Sequence, residues 1–174
     1  MSGKDAGRTQ PIAAFIYRAD EDASPLLAEV VRLLRSRGVA VAGAIQHNDG
    51  PGKMSLELLP AGTRVTISQP LAAAGTCKLD TFALADAAGL IRRSIDERPQ
   101  LAVFNKFGRQ EAEGAGLCAE IAAAVTAEVP VLTAVSETVL AQWIAFTGGD
   151  DVRLPCEPDA AIAWWERVRA QAAG

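Results

Sequence analysis

The sequence predicts an α/β fold in which a mostly parallel sheet lies between two layers of helices and carries an antiparallel hairpin at one edge. Residues 12–17 and 101–104 are unbroken apolar runs, as expected for strands buried on both faces. Segments with helical spacing of apolar residues separate the strands, which is typical of parallel sheets. Residues 55–59 and 63–69 alternate in polarity around Pro60-Ala61-Gly62, which indicates the hairpin.

The length and composition favour one soluble domain. The chain has 174 residues, and we place a single α/β domain at 12–174 after a flexible polar tail at 1–11. Hydrophobic residues make up 49%, charged residues make up 22%, and the net charge is -4, which argues against binding to nucleic acid. The apolar run at 12–17 is too short for a signal sequence or a membrane span, so we expect a cytoplasmic protein with no membrane contact.

The cysteines and the histidine argue against disulfides and metal sites. Cys77, Cys118 and Cys156 are far apart and form no CxxC pair. His47 is the single histidine, so one chain cannot build a site with two histidine ligands.

The first connection resembles the opening of a mononucleotide-binding fold without its phosphate loop. A helix is predicted at 26–36, with Ser24 as its N-cap, Pro25 at its first position and Gly38 closing it. A phosphate loop needs glycines and a lysine, whereas residues 18–25 contain neither and carry Asp20, Glu21 and Asp22. The helix terminus at Ser24 would still attract a small anion.

Two further segments contain candidate ligand-binding residues. A strand at 39–46 ends at His47, which is either a ligand contact or a solvated residue beside the turn at 50–52. Cys77 and Lys78 precede a helix predicted at 82–96 and capped by Asp80 or Thr81. They either join the anion-attracting end of that helix or belong to an ordinary capped loop.

The rest of the chain continues the alternation of strands and helices. We predict a helix at 117–127, a strand at 130–135, a helix ending at 146, an edge strand at 152–154 and a terminal helix beginning at Asp159. The tryptophans lie inside helical patterns without basic neighbours, which favours packing anchors over base stacking: Trp143, Trp164 and Trp165.

The segment after the strand at 101–104 carries the highest density of polar groups. It contains an amide, two cations, two carboxylates and three glycines: Asn105, Lys106, Gly108, Arg109, Glu111, Glu113, Gly114 and Gly116. Such groups at the carboxyl end of a central strand are typical of a ligand crevice. The alternative is a charged surface loop that leads into a helix.

Three elements together resemble a bacterial family of uncharacterised domains: the strand followed by NKFGRQEAEG, the segment GTCKLD at 75–80 and the strand PVLT at 130–133. Members of this family occur in molybdenum metabolism, near molybdate transporter components, and look like distant relatives of P-loop nucleoside triphosphatases. The resemblance covers residues 12–165. It implies a three-layer, P-loop-NTPase-like sheet.

Compared with those triphosphatases, the motif of this chain has lost two negatively charged side chains and gained a positively charged one. The relatives carry Asp-Glu-x-Gly-x-x-Glu after the strand, and the first acid supports Mg²⁺ while the second orients water. Asn105 and Lys106 occupy these two positions here, whereas Gly108 and Glu111 match the pattern. An amide is a poor partner for Mg²⁺ and a lysine is not a carboxylate base, so the substitutions argue against nucleotide hydrolysis.

The resemblance implies a non-catalytic, cytoplasmic oxyanion-binding protein in molybdenum storage or homeostasis, with molybdate, polynuclear molybdate or tungstate as ligand. The cations and the Asn105 amide would donate to the anion, and a polynuclear ligand would suit a homo-oligomer. Two alternatives stay open: a nucleoside triphosphatase with an altered phosphate loop that uses Glu111 or Glu113, and a regulatory or scaffold protein. No catalytic or metal-binding residue is assigned, and the candidate ligand-binding residues are Asn105, Lys106, Gly108, Arg109, Glu111, Lys78, Cys77, Ser24 and His47.

Overall fold

A mostly parallel sheet forms the centre of the protein. The computed structural model describes residues 9–70 and 77–174. The strands of these residues are β1 (Ile12–Tyr17), β2 (Val41–Gly50), β3 (Lys53–Leu59), β4 (Thr63–Thr66), β5 (Ser68–Pro70), β6 (Cys77–Leu79), β7 (Leu101–Phe107), β8 (Val131–Ser136) and β9 (Val152–Leu154). Seven of them form one sheet in the order β4-β3-β2-β7-β8-β1-β9, and β5 pairs with β6 separately.

Five strands of the main sheet run in the same direction. β2 pairs with β7, β7 with β8, β8 with β1 and β1 with β9, all parallel. The chain turns back after β2, so β3 and β4 extend the sheet as antiparallel strands. The predicted edge hairpin is confirmed.

Helices cover both faces of the sheet. They are α1 (Ser24–Ser36), α2 (Thr81–Asp96), α3 (Arg109–Ala112), α4 (Cys118–Thr126), α5 (Leu140–Thr147) and α6 (Pro158–Ala172), with a 3-10 turn at Glu137–Val139. α1 and α6 pack against one face, while α2, α4 and α5 pack against the other. Within the described residues, no helix has both the length and the apolar character needed to cross a bilayer.

The tryptophans anchor the two helical layers. Trp143 is fully buried, stacks edge-on against Phe107 at 5.1 Å between ring centroids, and donates its indole N–H to Asp151. Trp164 is also fully buried and donates to the carbonyl of Gln10. Trp165 is buried in the same layer as Trp164. The prediction of packing anchors is confirmed.

Two predicted details need correction, and one of two predicted caps is confirmed. The central strand continues through Asn105 and Lys106 to Phe107, beyond the apolar run that predicted it. The predicted strand at 63–69 divides at Ile67, and its second part pairs with β6 instead of β3. Asp80, rather than Thr81, caps α2, because its carboxylate accepts hydrogen bonds from the amides of Phe82 and Ala83. Residues 1–8 of the predicted tail at 1–11 lie outside the described residues.

Candidate functional site

A side chain on β8 shapes the end of the central strand β7. The pairing of β7 with β8 shifts register between Phe104 and Phe107. Thr133 bridges this gap, because its hydroxyl donates to the Phe104 carbonyl at 2.7 Å and accepts from the Phe107 amide at 3.1 Å. The two residues in between, Asn105 and Lys106, are thereby released from the ladder at the carboxyl edge of the sheet.

A small recess lies at this edge, on the same side of the sheet as α2. Its volume is about 210 Å³. The residues that line the recess come from β2, β3, the link between β4 and β5, α2, β7 and the segment that follows β7: Gln46, Met54, Leu56, Ile67, Leu84, Asn105, Lys106, Gly108, Arg109, Gln110, Glu111 and Leu117.

Asn105 is buried, and both of its N–H groups are already engaged. The residue is 3% exposed, and its Nδ2 donates to Ser24 Oγ at 2.8 Å and to the carbonyl oxygen of Gln46 at 3.3 Å. Because a backbone carbonyl only accepts, the Gln46 contact fixes the orientation of the amide. The remaining atom, Oδ1, is buried and has no hydrogen-bond partner among the described residues. The predicted donation from Asn105 to an oxyanion is therefore wrong for this arrangement.

Ser24 does not cap α1. Ala23 occupies the N-cap position and Ser24 is the first residue of the helix. The Ser24 amide donates to Asp22 Oδ1 at 2.9 Å, while its hydroxyl accepts from Asn105. The serine thus connects the start of α1 to the end of β7, and the prediction that it caps the helix is wrong.

Lys106 is an exposed cation that lines the recess. Its side chain lies beside Gly108, since a Cβ built on that glycine would be 3.5 Å from Cε and 3.7 Å from Cγ of the lysine. In the part of the chain that the structure describes, Lys106 forms no salt bridge. Its ammonium group is available to a ligand.

Arg109 is directed toward solvent. Its side chain is 88% exposed, and its Nε lies 3.2 Å from Glu113 Oε1, one helical turn further along the chain. The recess therefore does not enclose the guanidinium group, contrary to the predicted crevice in which both cations face the ligand.

Glu111 uses both carboxylate oxygens within its own loop. Oε2 accepts from the Gly108 amide and Oε1 accepts from the Leu117 amide, each at 3.0 Å. The charge of Glu111 also contributes, after burial, to raising the pKa of the nearby Cys118 thiol. Cys118 is therefore a poor candidate for a thiolate ligand.

Among the residues with described side chains, His47 and Lys78 do not line the recess. His47 lies 2.8 Å from Glu57 Oε2 on the neighbouring strand. Lys78 is exposed on β6. Cys77 begins the same strand, and its side chain lies outside the described residues.

Sequence reasoning missed the walls of the recess. Gln46 ends the buried part of β2, and Met54 and Leu56 belong to β3. Their contribution depends on the strand order, which places β2 between β7 and β3. The polar residue at the end of the predicted strand at 39–46 was the one signal that could have identified Gln46.

Residues 12–164 match a family described as "Protein of unknown function (DUF2478)". The chain belongs to this family. A relative, "Molybdenum import ATP-binding protein ModC 2" of Bradyrhizobium diazoefficiens, is 41% identical over 161 aligned residues, and the match covers 88% of this chain and 18% of that protein. The chain therefore spans less than a fifth of the length of that relative.

Two solved structures share the fold. "Solution Structure of a Human Cancer-Related Nucleoside Triphosphatase" has a TM-score of 0.62 and 14% identity, covering 83% of this chain and 88% of that one. "Crystal Structure of THEP1 from the hyperthermophile Aquifex aeolicus" has a TM-score of 0.62 and 10% identity, covering 91% and 97%. These similarities confirm the predicted three-layer, P-loop-NTPase-like fold, and at such identities they show the fold alone.

Proposed function

We propose that this protein binds a small oxyanion in the recess at the end of β7 and does not hydrolyse nucleotides. The ligand that we favour is molybdate, with tungstate as its chemical analogue, and the role that we favour is molybdenum storage or homeostasis in the cytoplasm. One observation carries the proposal: Lys106 has no salt-bridge partner among the described residues and lines a recess at the carboxyl edge of the sheet. An exposed ammonium group at such an edge is suited to an anion.

The size of the recess favours a small ligand. Pockets for drug-sized molecules and cofactors measure roughly 300–1,000 Å³. The recess measures about 210 Å³, which is below that range. A mononuclear oxyanion suits this volume better than a nucleotide or a polynuclear molybdate.

The charges around the recess support the same ligand class. Lys106 lines it and has no salt-bridge partner among the described residues, and both oxygens of Glu111 accept hydrogen bonds from backbone amides. Within residues 9–70 and 77–174, the salt bridge of Arg109 is an exposed ion pair with Glu113, and such pairs contribute little stability. We infer that Arg109 leaves Glu113 and becomes a second cation when an anion binds.

Molybdate is favoured by the relative. A protein that is 41% identical over most of this chain is named for molybdenum import, although the matching region is 18% of its length. The donors in the recess suit tetrahedral oxyanions in general, so the choice among them rests on this relationship. We would expect the chain to form a homo-oligomer only if the ligand were a polynuclear molybdate.

Calorimetric titration with molybdate, tungstate, sulfate and phosphate tests the proposal. We expect heat with molybdate and tungstate and much weaker binding of sulfate and phosphate. Equal binding of all four anions would contradict the choice of molybdate. No binding of any anion would contradict oxyanion binding itself.

Lys106→Ala identifies the site. Loss of a charge-assisted hydrogen bond of about 1.5–3 kcal/mol corresponds to an affinity about 10- to 100-fold weaker. Arg109→Ala should weaken binding by less, since the arginine must first leave Glu113. Arg93→Ala is the matched control, because Arg93 lies in the last turn of α2 and its loss removes the same charge. Equal effects of Lys106→Ala and Arg93→Ala would exclude the recess as the site.

Nucleotide binding is the second candidate, and the fold is the observation that favours it. Residues 18–23 between β1 and α1 contain no glycine and carry Asp20, Glu21 and Asp22, which disfavours a triphosphate at the usual place. Phosphate release from a nucleoside triphosphate that disappears in Glu111→Ala would support this candidate. If calorimetric titration with nucleotides produced no heat, nucleotide binding would be contradicted.

A further inference from the structure

The Glu111 carboxylate joins the two ends of the segment that forms one wall of the recess. It accepts from the Gly108 amide, directly after β7, and from the Leu117 amide, directly before α4. Both residues line the recess. One side chain therefore fixes the segment 108–117 at both ends.

The surrounding backbone fits closely around this carboxylate. Gly116 has a φ of +57°, and a Cβ built on it would lie 2.2 Å from Glu111 Oε1. An L-residue at this position would therefore be strained and would collide with the carboxylate. The contact requires glycine at 116 and an acceptor with two oxygens at 111.

We propose that Glu111 is a positioning residue for the oxyanion recess and does not contact the ligand. This inference rests on the proposed function. Its negative charge alone would repel an anion in the recess. Its two hydrogen bonds hold Gly108 and Leu117 where the wall of the recess requires them, and this geometric contribution outweighs the repulsion.

Glu111→Gln separates the two effects, because they have opposite signs. The substitution removes the negative charge, which by electrostatics alone would strengthen anion binding. It also replaces one acceptor oxygen by an NH₂ group that faces a backbone N–H, so one hydrogen bond is lost. A positioning role therefore predicts weaker binding, whereas a purely electrostatic role predicts stronger binding.

Calorimetric titration with molybdate measures this difference. We expect Glu111→Gln to weaken binding about tenfold or more, the scale on which outer partners of a binding site act. Glu113→Gln is the matched control, since it removes the same charge two residues along the chain. The Glu113 side chain is 65% exposed and contacts Arg109. It should leave the affinity unchanged or raise it. Unchanged or stronger binding by Glu111→Gln would overturn the inference.

Hydrogen exchange of the ligand-free protein keeps the two proposals distinguishable. The Gly108 and Leu117 amides should exchange faster in Glu111→Gln than in the wild type, while the amides of β1 stay unchanged. Equal exchange would overturn the positioning role whether or not any anion binds. Glu111→Asp, which is too short to reach both amides, provides a second variant if Glu111→Gln does not fold. Absence of binding by the wild type would refute the proposed function alone.

Discussion

Asn105→Asp restores the acid of the triphosphatase pattern, and we expect it to destabilise this protein. The wild-type Nδ2 donates to Ser24 Oγ and to the Gln46 carbonyl in a position that is 3% exposed. A carboxylate has no hydrogen to donate, so one of its oxygens would face the Gln46 carbonyl oxygen.

The magnitude follows from the lost contacts and the buried charge. A lost hydrogen bond costs about 1 kcal/mol, and an uncompensated buried charge raises the total to about 3 kcal/mol at pH 7.5. At roughly 2–4 °C per kcal/mol for a chain of this size, Tm should fall by about 6–12 °C. Burial raises the pKa of the introduced carboxyl group above its unfolded value. The folded variant then binds a proton more readily than the unfolded variant, so the deficit should shrink as the pH falls toward about 4.

Thermal unfolding of the wild type and Asn105→Asp at pH 7.5 and pH 5 measures both effects. Asn105→Leu is the control, because it removes the same hydrogen bonds without adding a titratable group, and its deficit should not depend on pH. A variant as stable as the wild type at pH 7.5 would refute the hydrogen-bond assignment. A deficit that does not change with pH would refute the burial of the charge.

Two further predictions test the loop and the start of α2. Gly116→Ala should lower the free energy of unfolding, measured in urea, by about 1–3 kcal/mol, because residue 116 has a positive φ and a methyl group there would collide with Glu111. Gly89→Ala in α2 is the control, since the space around Gly89 is open and the substitution should raise the free energy of unfolding by up to about 1 kcal/mol. Hydrogen bonds to Asp80, of which the one from the Ala83 amide has the largest effect, lower the pKa of its carboxyl group below the ordinary value of 3.8. The stabilising contribution of Asp80 should therefore be present above pH 3.8 and disappear as the pH falls through the lowered pKa. Urea unfolding from pH 6 to pH 2.5 should show this loss in the wild type and not in Asp80→Asn, which keeps the cap without the titration.

Local patterns were sufficient to predict most elements of the fold, but not β6 or α3. The apolar run at 12–17 gave β1 with its bounds, because a strand buried on both faces needs no polar alternation. Asp80 was one of two predicted caps, since a short acceptor before an apolar periodicity satisfies the free amides of a helix. The antiparallel pairing of β3 with β4 followed from the alternation of residues 55–59 and 63–69 around the turn at 60–62.

The site depended on contacts between distant segments, which local patterns do not contain. Ser24 and Asn105 are 81 positions apart, and their hydrogen bond forms because β7 lies beside the start of α1. Arg109 and Glu113 are four positions apart, so they lie one helical turn from each other and form a local ion pair that directs the guanidinium outward. His47 faces Glu57 because of the register between β2 and β3.

The contact between Asn105 and Ser24 explains why an anion would bind on the opposite face of the sheet from α1. In P-loop nucleoside triphosphatases, a hydroxyl at the phosphate loop and an acid on a neighbouring strand hold Mg²⁺ together. Here the Ser24 hydroxyl accepts directly from Asn105 at 2.8 Å, so β7 and α1 are joined without an ion. The acidic residues 20–22 add negative charge to the same connection. On the α2 side, Lys106 is available and the oxygens of Glu111 are satisfied by backbone amides, so the electrostatic free energy of an anion is lower there.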